Sequence, residues 1–150
     1  MLKRFVSLFV LYFALVLLAP EKSEAKNLGV ATCIANRCVV RKANWGGGLV
    51  SDFLITGTGI ERGGKMLVIN YPCASSCALL ANQIRSITCI TPKAYFGFHM
   101  ILLKDGREWP PPHEADIRGW VERHGGFPSY ASKKILWMPY EDAKQFWRTC

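Results

Sequence analysis

Ser75 and His99 are the residues of this chain whose types and spacing point to chemistry. Ser75 lies in the segment Ile69-Asn70-Tyr71-Pro72-Cys73-Ala74-Ser75-Ser76-Cys77-Ala78-Leu79-Leu80, where an apolar run of strand length meets a small, apolar run of helix type. A serine there sits at a helix N-terminus, beside unpaired backbone N–H groups and the positive end of the helix dipole. Such a place stabilises an alkoxide or a tetrahedral oxyanion. His99 follows Phe96-Gly97-Phe98, 24 residues after Ser75. A serine hydroxyl is a weak nucleophile until an imidazole accepts its proton, so the pair would suit acyl transfer. Each residue also has an ordinary structural reading: Ser75 or Ser76 as a helix cap, His99 as a structural histidine.

The six cysteines are Cys33, Cys38, Cys73, Cys77, Cys89 and Cys150. An even number in an exported chain reads most simply as disulfides, with the connectivity left open. Cys33 and Cys38 flank a turn and could pair across it. Cys73, Cys77 and Cys89 surround the serine turn, its helix and the next strand, so at least one disulfide is expected among them, with Cys77 and Cys89 able to approach. No C-x2-C or H-x3-H pair is present, which disfavours zinc. No metal and no cofactor are expected.

Several elements must position these residues. Strands are expected at Val30–Ile34 and Cys38–Arg41, with Ala35-Asn36-Arg37 as the turn. Asn44-Trp45-Gly46-Gly47-Gly48 reads as a loop whose glycines allow close backbone approach. A helix is expected over Leu49–Ile60, although Gly57 and Gly59 weaken it. Lys65–Asn70 reads as a strand, Cys73–Ile84 as a buried helix, and Ser86–Thr91 and Tyr95–Leu103 as strands. Lys104-Asp105-Gly106-Arg107 is a turn, and Trp109-Pro110-Pro111-Pro112 is extended. Helices are expected over Glu114–Arg123, stopped by Gly125, and over Tyr140–Arg148. Strands alternating with helices argue for an α/β fold.

The N-terminus reads as an export signal. Lys3 and Arg4 precede the uncharged run Phe5–Ala19, Pro20 breaks it, and Ser23-Glu24-Ala25 supplies small residues at the −3 and −1 positions. Cleavage after Ala25 gives a mature chain beginning at Lys26, a periplasmic or secreted location, no stable membrane span, and one domain over residues 26–150. Removal of residues 1–25 lowers the formal charge from +8 to +7. Lys and Arg are nonetheless spread from Lys26 to Arg148 without a basic block, so no nucleic-acid partner is expected. Arg41-Lys42 and Lys133-Lys134 read as solvated faces. His113 and His124 read as surface or capping residues, and Trp109, Trp120, Trp137 and Trp147 as core or sheet-covering ones.

Residues Gly46 to about Met100 resemble the Clp-protease/crotonase superfamily, in particular its small periplasmic members related to the Clp proteolytic subunit and to signal peptide peptidase A. The matching pieces are Trp45-Gly46-Gly47-Gly48, Cys73-Ala74-Ser75-Ser76-Cys77 and Thr91-Pro92-Lys93-Ala94-Tyr95-Phe96-Gly97-Phe98-His99. The resemblance implies a reduced fold of repeated ββα units. It also implies Ser75 as nucleophile, His99 as general base, and the backbone N–H groups of Gly48 and Ser76 as the oxyanion hole. The substrate would be a peptide or protein, and a homo-oligomer is compatible with the family. Two departures accompany the match. Trp45 replaces a proline beside the glycines. The stretch ahead of Leu136-Trp137-Met138-Pro139, where the family carries a triad aspartate, is Ser132-Lys133-Lys134. Asp116, Glu141 and Asp142 are the candidate substitutes. Two functions follow: a serine hydrolase, peptidase-related, with a Ser75–His99 dyad and weak or lost activity; or a non-catalytic, disulfide-stabilised binding protein on the same scaffold.

Overall fold

The computed structural model describes residues 25–150. Apart from Ala25, the expected export signal lies outside the described residues. The described residues open with an antiparallel meander, β1 (Lys26–Leu28), β2 (Ala31–Ile34) and β3 (Arg37–Val40). The glycine loop and α1 (Val50–Arg62) follow, then β4 (Met66–Ile69), β5 (Pro72–Ala74) and α2 (Ser76–Gln83). Next come β6 (Thr88–Ile90), β7 (Tyr95–Phe98) and the small hairpin β8 (Ile101–Leu102) and β9 (Glu108–Trp109). The last elements are α3 (Ala115–Arg123), β10 (Leu136–Met138), α4 (Tyr140–Ala143) and β11 (Arg148–Thr149). The protein is therefore a mixed α/β structure. No described helix is long and apolar enough to cross a membrane.

The main sheet has the order β1-β2-β3-β4-β6-β11, with β3, β4, β6 and β11 mutually parallel. A second sheet has the order β10-β7-β5, with β5 and β7 parallel. The chain thus steps twice from the main sheet to the second, β4 to β5 and β6 to β7, with α2 as the crossover. Leu67, Ile69 and Ile90 of the main sheet are fully buried, as are Phe53 and Ile60 of α1 and Leu80 of α2. Each such side chain contributes about 1.5–3 kcal/mol by leaving water. The buried positions of α1, Phe53, Thr56, Gly57 and Ile60, form one helical stripe. Gly57, a weak helix former, is used for proximity: a Cβ there would come within 2.8 Å of Leu80 Cδ1 on α2.

Three of the expected elements differ. The helix expected over Cys73–Ile84 begins only at Ser76, because Pro72-Cys73-Ala74 pairs with β7 as an edge strand. Proline is tolerated there, as the first residue of an edge strand. Tyr95–Leu103 is interrupted at His99-Met100, where the Met100 N–H donates to Pro128 O at 2.8 Å. The helix expected over Tyr140–Arg148 stops at Ala143. Beyond it Trp147 stacks on Phe96 at 4.1 Å and donates from Nε1 to Ala81 O at 3.0 Å. β11 then joins β6. Tertiary contacts of one tryptophan outweigh local helix propensity there.

All six cysteines are in disulfides: Cys33–Cys38, Cys73–Cys77 and Cys89–Cys150. The first spans the expected turn and the second lies within the expected cluster. Cys77 pairs with Cys73 rather than approaching Cys89, which is held by the C-terminal residue. His113 is not on the surface; it is buried edge-on to Phe98, with ring centroids 5.1 Å apart. His124 is exposed just past the end of α3, stacked on Trp120, with Nδ1 bonded to Trp120 O at 2.7 Å. Trp120 and Trp147 are buried, and Trp137 covers the second sheet beside Tyr95. Trp109 is exposed, since β9 belongs to a two-stranded hairpin with no layer over it.

Candidate functional site

Ser75 occupies the single residue between β5 and α2, with φ 57° and ψ −123°. A non-glycine residue in this region costs on the order of 1–3 kcal/mol and persists only where its surroundings impose it. Lys133 also has a positive φ, but with ψ 14° it is in the ordinary left-handed region. Three bonds hold the serine turn. The Ser75 N–H donates to Gly97 O at 2.8 Å, and the Ala74 N–H donates to Trp45 O at 2.8 Å. The Ser76 hydroxyl donates to Gly48 O at 2.7 Å.

The last two of these bonds fasten the glycine loop onto the serine turn. Gly47, at φ 98°, lies so close that a Cβ would meet Ser75 Cβ at 2.7 Å and Ser75 Oγ at 3.0 Å. Trp45, the residue in place of the family proline, anchors the loop from the other side. Its ring stacks on Tyr71 at 4.5 Å, and its Nε1 donates to Val40 O at 3.0 Å. The Gly48 and Ser76 N–H groups take part in no hydrogen bond. Both residues line one cleft of about 570 Å³ with Ser75 and His99, and Leu49, Ile101 and Leu102 supply apolar wall.

The bond from Ser75 N–H to Gly97 O also brings His99 near. His99 lies two residues beyond Gly97, just past the end of β7, a separation of at most about 7 Å along the chain. Strand β7 can approach β5 this closely because residue 97 has no side chain. A Cβ there would meet Ala74 Cβ at 2.8 Å, Trp137 at 2.8 Å and Ile135 at 2.7 Å. His99 Nδ1 lies 2.6 Å from Met100 O. A carbonyl oxygen only accepts, so Nδ1 carries the proton and a neutral ring leaves Nε2 as an acceptor. No hydrogen bond joins Ser75 Oγ to His99. The four expected residues, Ser75, Ser76, His99 and Gly48, are thus gathered in one cleft, without a hydrogen bond between hydroxyl and imidazole.

None of the candidate acids is free to face His99. Asp116 is bound by Arg85, whose guanidinium bonds hold its carboxyl below the usual range. Glu141 pairs with Lys144, and Asp142 accepts from Trp120 Nε1. Glu108, which was not singled out from the sequence, is a carboxylate near enough to His99 for that ring's charge to contribute weakly to its titration. The Ala131 N–H first, then the Ser129 hydroxyl, the Tyr130 N–H and the charge of His99 hold the Glu108 carboxyl below its ordinary value. Glu108 Oε1 accepts from Ser129 Oγ at 2.8 Å and from Ala131 N at 3.0 Å. It thereby fixes Tyr130, whose ring is 5.5 Å from that of His99 and also lines the cleft. A signal existed: the turn Lys104-Asp105-Gly106-Arg107 folds β9 back on β8, pairing Leu102 with Glu108, close after His99.

All cysteines are committed to disulfides, and no group of three His, Cys, Asp or Glu side chains among the described residues is arranged to hold a metal ion. No protein-family model, curated protein or solved structure matches the chain.

Proposed function

We propose that the protein is an exported serine hydrolase of Clp/crotonase type, peptidase-related and weakly active, with Ser75 as nucleophile and His99 as general base. The observation that carries this reading is the strained backbone of Ser75 between a strand and a helix, in one cleft with His99 and two unbonded N–H groups. Strain of this kind concentrates at functional residues, and a sharp strand-to-helix turn is a recurrent way to expose a nucleophilic serine. The twofold passage from main sheet to second sheet, with α2 between, agrees with repeated ββα units. Three disulfides and the leader-like N-terminus agree with an oxidising compartment.

In the reaction, Ser75 Oγ attacks the substrate carbonyl carbon while its proton passes to His99 Nε2. The Gly48 and Ser76 N–H groups receive the oxyanion. The imidazolium returns the proton to the leaving amine, and water releases the acyl group by the same route. Hydrogen bonds of this kind often close only when substrate is bound. The Met100 carbonyl fixes the tautomer, a task an aspartate performs in a full triad. Lacking an aspartate's charge against Nδ1, it supports the imidazolium less, which is the reason to expect weak turnover.

The absence of a hydrogen bond between Ser75 Oγ and His99 favours a second reading, a non-catalytic binding protein on the same scaffold. Incubation with a fluorophosphonate separates the two. The hydrolase reading expects one adduct, mapped to Ser75 and absent from Ser75→Ala. Intact protein without an adduct after prolonged exposure supports the binding protein instead.

A further inference from the structure

A second hollow, of about 330 Å³, adjoins the cleft and shares His99 and Tyr130 with it. Its remaining lining is Ala131, Lys133, Lys134 and Ile135. The two lysines are exposed, as expected of a solvated face, and both also line this hollow with His99. Neither has a carboxylate partner; the ion pairs among the described residues use Arg85, Arg107 and Lys144.

The segment that carries them is fixed. Residues Tyr130–Ser132 form one 3-10 turn, the Ala131 N–H is held by Glu108, and the Lys134 N–H donates to Ser132 Oγ at 3.2 Å. Glu108 itself grips that turn and is no part of the hollow's lining. The hollow is lined by Ile135 and Tyr130 together with two lysines that take part in no ion pair. Its chemical complement is a short apolar stem ending in a carboxylate.

We propose that this hollow is a subsite for a carboxylate of the ligand whose backbone lies in the Ser75 cleft, either an acidic side chain or a peptide C-terminus. The proposal rests on the reading of that cleft as a peptide site. It does not need Ser75 to be active.

The test is equilibrium binding to the protein carrying Ser75→Ala, followed by calorimetry and by the NMR signals of His99 and Tyr130. One pair of probes is N-acetyl-Ala-Ala-Glu-Ala amide and its glutamine counterpart. The other is N-acetyl-tetra-alanine as free acid and as amide. In at least one pair the acid is expected to bind about tenfold tighter than its neutral partner, as charge-assisted hydrogen bonds permit. The pair that shows the preference identifies the source of the carboxylate. In Lys133→Gln/Lys134→Gln the preference should shrink to about twofold or less. Equal binding of acid and neutral probes, absence of binding, or a preference unaltered by the lysine substitutions overturns the proposal. Fluorophosphonate labelling of Ser75 does not depend on the subsite. A labelled serine without carboxylate preference removes the subsite alone, and a preference without labelling removes the catalytic reading alone.

Discussion

At the residue scale, His113 shows how burial sets chemistry independently of the cleft. It lies between Phe98 and Phe127, its Nδ1 has no hydrogen-bond partner, and burial lowers its pKa from 6.5 to about 4. Protonation is therefore easier in the unfolded chain. The stability due to the neutral ring is complete above pH 6.5, falls as pH decreases toward 4, and is lost below. The shift corresponds to about 3 kcal/mol across that window. Urea unfolding between pH 7 and pH 4 should show this decline, and His113→Phe should flatten it; an equal slope in both proteins would show that other groups are responsible. The position was not readable from the sequence, because Pro112-His113-Glu114 carries no periodicity that separates inside from outside. Ser75 and His99, which the structure brings into one cleft, could be singled out because each sits within a long, specific segment. Glu108 was not singled out, because its place depends on a two-residue hairpin and on the chain around residue 130.

At the scale of elements, the β5–β7 pair is what holds the candidate nucleophile and base together. Gly97 is its narrowest point, with Ala74, Ile135 and Trp137 all closer than a methyl group allows. Gly97→Ala should force the second sheet apart, destabilise the fold by about 1–3 kcal/mol, and slow Ser75 labelling even under conditions where the variant remains folded. A variant with reduced stability but unchanged labelling rate would show that the spacing of β5 and β7 does not set the site. Short apolar and β-branched runs made β2, β3, β4, β6 and β7 legible, and the apolar residues Leu49, Val50, Phe53 and Leu54 made α1 legible; Gly57, which weakens the helix in isolation, proved to be a packing position. β5 was hidden because Pro72-Cys73-Ala74 is short and runs straight into the helix. β10 was hidden because Leu136-Trp137-Met138 is a strand only by virtue of pairing with β7.

At the scale of the whole molecule, the C-terminus is tied into the main sheet three times over. β11 pairs with β6, the Cys150 N–H donates to Ile90 O at 2.9 Å, and Cys150 is bonded to Cys89. That disulfide joins residues 61 positions apart, so a chain-entropy argument assigns it about 4 kcal/mol. Cys89→Ser/Cys150→Ser should lose a stabilisation of that order in urea under non-reducing conditions; a loss below about 1 kcal/mol would mean that the terminus is held by packing of Trp147 instead. The α/β class followed from the order of strands and helices. The division into two sheets did not, since it depends on which strands pair across α2. The most direct test of the central claim, that His99 activates Ser75, is the rate constant for fluorophosphonate reaction at Ser75 in the wild-type protein and in His99→Gln. A general base contributes roughly 10²–10⁴-fold, so the variant should react at least about 100-fold more slowly. Equal rates in the two proteins would contradict the claim.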